Sequence, residues 1–136
     1  GRVSTGTVTI AAIAPALFSA NSTGQDVALG VLLRVSADGT QTYEPIARLD
    51  SSTNRFVAVP IDFGATGDRL YLSLFGTGFR RITNMAGLAV QIGGVNSRVV
   101  YAGAQGDLIG VDQLNVELDR SLANRGEVNL TLTVNG

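Results

Sequence analysis

Acid–base chemistry in this chain would have to come from carboxylates, because it contains no His, Cys or Lys and all ten of its basic residues are Arg. The usual zinc, copper and haem sites need nitrogen or sulfur ligands of those absent types. The common nucleophile–base pairs need them too. Glu117 and Asp119 stand two residues apart and would share one face of a strand. A glycosidase needs two carboxylates roughly 5–9 Å apart across a cleft, and charges on a solvated face are the plainer reading. Loops 50–54, 62–68 and 107–112 are rich in oxygen donors, of which calcium takes about six to eight. None has EF-hand spacing, and Asp and Asn also cap turns by accepting nearby N–H groups. Gly76-Thr77-Gly78-Phe79 has no lysine after it and reads as a strand corner, not a phosphate loop. The expectation is no catalytic residue, no metal, no cofactor, and no enzyme.

Two sequons, at Asn21 and Asn129, matter only where the source glycosylates. Phe18, Phe56, Phe63 and Phe75 lie in or beside apolar runs, so core packing is favoured over sugar stacking. The net charge of −1 gives no electrostatic footprint for nucleic acid. No apolar run approaches the roughly 20 residues of a bilayer-spanning helix.

The elements that would position any site are strands. At 136 residues, with 17 glycines and 45% hydrophobic residues, the chain fits one strand-and-turn domain. Alternation puts Val27, Leu29, Val31, Leu33 and Val35 on one face of a strand that turns at Asp38-Gly39, a type I′ pair. Leu70, Leu72 and Leu74 form another inward face, as do Leu88, Val90 and Ile92, and Leu114, Val116 and Leu118. Residues 120–124 alone suggest a helical turn. About ten short strands at such spacing predict an antiparallel β-sandwich with little helix.

Five segments carry a family resemblance: APALF at 14–18, PIDFG at 60–64, LSLFGTGFR at 72–80, YAGAQG at 101–106 and GVDQLNV at 110–116. In this order they resemble the uncharacterised Solibacter-type C-terminal domain of secreted acidobacterial proteins. The resemblance spans about residues 13–136 and implies an extracellular Ig-like or TIG-like sandwich with no established activity. It implies a structural role for Asp112, Gln113 and Asn115, the last two expected to bond the backbone of 103–106 while Leu114 and Val116 fill the core.

Members of that family continue past the Gly of the last turn into one more strand, whereas this sequence stops at Gly136. A strand of the missing type stands at the front, in residues 7–13, TVTIAAI. Written tail to head, 128–134 and 7–13 make the two arms of a hairpin. The expected fold class is therefore all-β: an Ig-like antiparallel β-sandwich that lacks its own last strand and is completed by a neighbour's N-terminal strand. Residues 1–13 would be the donor strand and 14–136 the sandwich. Val3, Val8, Ile10 and Ala12 would enter the neighbour, beside an acceptor edge of Val128, Leu130, Leu132 and Val134.

The expected function is an extracellular, cell-surface structural subunit of a head-to-tail homopolymer, a pilus-like filament built by donor-strand exchange. Without Lys, it could not be joined through isopeptide bonds. The alternative is an Ig-like adhesion or carbohydrate-binding module of a larger secreted protein, with a glycan or matrix partner.

Overall fold

The computed structural model describes residues 1–9, 11 and 13–134. Eleven strands run in the order β1 (Ala16–Leu17), β2 (Gly30–Val35), β3 (Gln41–Pro45), β4 (Ala47–Asp50), β5 (Arg55–Ala58), β6 (Arg69–Thr77), β7 (Leu88–Ile92), β8 (Val95–Ser97), β9 (Val99–Ala104), β10 (Asp112–Glu117) and β11 (Leu130–Val134). Helix among the described residues is confined to two single 3₁₀ turns, Met85–Gly87 and Arg120–Leu122. The protein is an all-β antiparallel sandwich.

One layer has the order β3-β2-β6-β10-β9, with β1 also on β6. The remaining strands form two further sheets, β11-β7-β8, whose β7 residues share the core with the first, and the separate pair β4-β5. Leu70, Leu72 and Leu74 of β6 and Leu114 and Val116 of β10 face Leu88, Val90 and Ile92 of β7 in one buried cluster. Leu118 and Leu122 close one end of it. Burying a side chain of this size contributes about 1.5–3 kcal/mol, so these alternating leucines and valines dominate the fold.

Several expectations are corrected. In β2 the buried residue is Leu32, opposite Leu72, while Leu29 is exposed and Val31, Leu33 and Val35 are only half-buried. Pairing with β6 dictates this: it aligns the even-numbered face with Leu70, Leu72 and Leu74. The same face carries Arg34, held by Glu44 at 2.6 Å and Asp68 at 3.3 Å. The 36–40 turn is not type I′, since Gly39 has a positive φ and Asp38 does not. Asp38 instead accepts the Thr40 N–H at 2.8 Å. Phe18 and Phe56 lie outside the core, Phe63 packs against it as expected, and Phe79 is fully buried within it.

Candidate functional site

Most of the carboxylates are committed to structure. Asp50 accepts from Ser52, Asp62 from the Gly64 N–H and Asp119 from the Ser121 N–H, each closing a tight turn. Glu117 pairs with Arg98. Among the described residues no three acidic side chains converge on a point where a cation could sit.

Among the described residues Asp112 is the one buried carboxylate, 1% exposed. Its Oδ2 accepts the N–H groups of Phe79 at 2.8 Å and Arg80 at 3.1 Å, and its Oδ1 accepts Arg80 Nε at 2.6 Å. Burial pushes this carboxyl up, but the Arg80 backbone and guanidinium and the Phe79 N–H outweigh it, leaving it below the ordinary value. Asp112 thus pins the corner after β6 to the start of β10 and seats Phe79 in the core. Gln113 and Asn115 do something other than expected: Gln113 Nε2 donates to Asn115 Oδ1 at 2.7 Å. The 103–106 backbone is tied instead through the Gln105 N–H to the Val111 carbonyl and the Tyr101 hydroxyl to the Ala104 carbonyl.

A further feature, with capacity for binding, is a sheet edge. β11 pairs with β7 on one side, Leu130 facing Ile92, Leu132 facing Val90 and Val134 facing Leu88, and no described strand pairs with its other side. The Gly93 N–H donates to the Asn129 carbonyl at 2.9 Å, which fixes the parity of the ladder. In an antiparallel pair, bonded and non-bonded residues alternate. Asn129, Thr131 and Thr133 therefore turn their backbone groups to β7. Leu130, Leu132 and Val134 turn theirs to the open edge while their side chains pack against the core. Val128 differs from expectation: it precedes β11 and is exposed.

Beside this edge lies a groove of about 870 Å³ between β5 and residues 127–130. Leu17 and Ala28, which pack against the core, line it. On its far side, Asn21 makes two bonds to one residue of β5. The Phe56 N–H donates to Asn21 Oδ1 at 2.8 Å, and Asn21 Nδ2 donates to the Phe56 carbonyl at 3.0 Å. Buried Ser19 holds that loop by accepting the N–H groups of Thr23 and Gly24, both at 2.9 Å. Sequence reasoning missed this side of the groove. Its signal was the run of turn formers at 21–26 opposite a strand edge, which only pairing in space could reveal.

The expected donor residues divide. Val3 and Val8 are 88% and 80% exposed, in a segment, 1–9, that is exposed throughout and carries no strand pairing. Ile10 and Ala12 lie outside the described residues. No helix of the structure is long and apolar enough to cross a membrane, among the described residues. Comparison of the chain with family models, curated proteins and solved structures finds no match.

Proposed function

We propose that this chain is an extracellular structural subunit that assembles head to tail into a filament, each copy donating residues 1–13 to the open β11 edge of the next. The observation that carries this is the edge itself. Leu130, Leu132 and Val134 present core-facing side chains and outward backbone groups with no described strand beside them. Such an edge is a template for strand addition. The segment TVTIAAI has the alternation to match it. With Val8, Ile10 and Ala12 inward, burial supplies on the order of 4–7 kcal/mol. A slip of one residue would bring the threonines inward, so the register is specified. A contact that is not self-complementary and does not close gives a fibre rather than a ring. The extracellular setting rests on the resemblance to secreted domains.

Val8→Asp tests this. Val8 is exposed in the single chain, so the substitution leaves the fold within about 0.5 kcal/mol. In an acceptor groove the same carboxylate would be buried and unpaired, at a cost of several kcal/mol. Sedimentation should show concentration-dependent polymer for the parent and folded monomer for the variant. Polymer from the variant, or its unfolding, refutes strand donation.

A second reading has its own support. Leu108 and Ile109 stand at the tip of the β9–β10 loop, 58% and fully exposed, as a recognition loop of an adhesion module would hold them. Such a module stays monomeric in that experiment.

A further inference from the structure

Resting on the strand-donation reading, we propose that the donated strand of a second copy runs along the open edge of β11 into the groove between β5 and residues 127–130, pairs with both edges, and takes the place on β5 that Asn21 holds in the single chain. Two independent parities lead here. On β11, the outward backbone groups belong to Leu130, Leu132 and Val134, whose side chains face the core. A strand alongside must oppose them with residues that also face inward, which are Val8, Ile10 and Ala12. The intervening Thr7, Thr9 and Ala11 then turn their backbone groups the other way, toward β5.

The second parity is that of β5. The Val59 N–H donates to the Ile46 carbonyl at 2.9 Å, so Phe56 and Ala58, in register with Leu49 and Ala47, direct their backbone groups away from β4. Both side chains are exposed, whereas Val57 between them is half-buried. A strand pairing with β5 must therefore oppose Phe56 and Ala58 with outward-facing residues. Thr7, Thr9 and Ala11 have that orientation. One strand in one register satisfies both edges, and a one-residue slip violates both.

Asn21 fits as a placeholder. Its side-chain amide presents to Phe56 one acceptor and one donor, as the backbone of a paired strand would. An N–H and a carbonyl at an unpaired edge are thereby satisfied until a strand arrives. The seated strand joins β4-β5 to β11-β7-β8 and removes both open edges. The occupant is a second copy because residues 1–9 of the described chain pair with neither edge.

The chain has no native cysteine, so single-cysteine variants of the full chain can be mixed in pairs and oxidised. Thr9→Cys with Thr133→Cys reports pairing with β11. Thr9→Cys or Ala11→Cys with Ala58→Cys reports pairing with β5, and Val8→Cys with Ala58→Cys is the parity control. Both kinds of mixed disulfide, with none from the Val8 control, are expected. Crosslinking to Thr133 alone overturns the two-edged seat while strand donation stands. Absence of both overturns the two together. A Thr9–Ala58 disulfide that forms only within one chain, in the double variant, overturns the second copy as occupant. Asn21→Ala should raise the assembly rate severalfold, and an unchanged or lower rate overturns the placeholder role.

Discussion

Replacing Asp112 by Asn changes no volume and removes one charge from a buried position that four bonding geometries depend on. The carboxylate accepts two backbone N–H groups through Oδ2, and through Oδ1 it receives Arg80 Nε at 2.6 Å and an Arg80 terminal nitrogen, also at 2.6 Å. An Asn oxygen can keep either the backbone pair or the guanidinium, and its NH₂ then meets a donor on the other side. Hydrogen bonds to charged groups contribute about 1.5–3 kcal/mol, and an unsatisfied buried donor costs about 1–3. Arg80 is half-exposed, with 46% of its side chain accessible, so solvent screens its share of the ion pair. The buried Phe79 N–H has no such relief. The expected loss is about 2–4 kcal/mol. In urea, with m of about 2 kcal/mol/M, the midpoint falls by about 1–2 M. Arg80→Ala keeps both backbone bonds and lets water reach Oδ1 in place of a half-exposed guanidinium, so it should cost less, about 1–2 kcal/mol.

The pH dependence gives the same prediction a sign. The Asp112 carboxyl is held below its ordinary value, so its contribution is complete above about pH 3.9 and is lost as pH falls through the lower folded value. The gap between parent and Asp112→Asn should therefore narrow below about pH 3.9. Unfolding followed on the non-assembling Val8→Asp background keeps polymerisation out of the measurement. A cost for Asp112→Asn no larger than that for Arg80→Ala, or a gap that does not narrow in acid, refutes the reasoning.

Two further substitutions probe packing on the same background. A Cβ at Gly76 would run into the Ala16 carbonyl oxygen and reach 2.8 Å from the Phe79 ring, so Gly76→Ala should cost about 1–3 kcal/mol in urea unfolding. Ser97 Oγ is buried without a partner among the described residues, so Ser97→Ala should be neutral or stabilising by up to about 1 kcal/mol in thermal unfolding.

What was legible in the sequence was the set of strands with one apolar and one polar face. The alternations at 70–74, 88–92 and 114–118 each allowed a single orientation, and those residues are the core. β2 was illegible for the converse reason. Its odd-numbered face, Val31, Leu33 and Val35, is the more apolar, yet Leu32 on the face of Gly30 and Arg34 is the buried residue, a choice made by register with Leu72. The Asp112–Arg80 link joins residues 32 positions apart, beyond any local pattern. Phe18 and Phe56 show that an aromatic in an apolar run can still face solvent where it lines the open groove. The expectation of an unpaired edge beside 128–134 came from the family resemblance and the tail-to-head junction. The groove across from it and the role of Asn21 could not be anticipated, because both depend on where β5 lies.

Strand donation is tested most directly by amide exchange at β11 in the full chain, measured across a concentration series. Thr131 and Thr133 point their N–H groups at β7 and should be protected at every concentration. Leu130, Leu132 and Val134 point theirs at the open edge, so they should exchange freely in dilute monomer and become protected as the chain assembles. Protection of all five at the highest dilution, or free exchange of those three in the assembled state, would contradict the account.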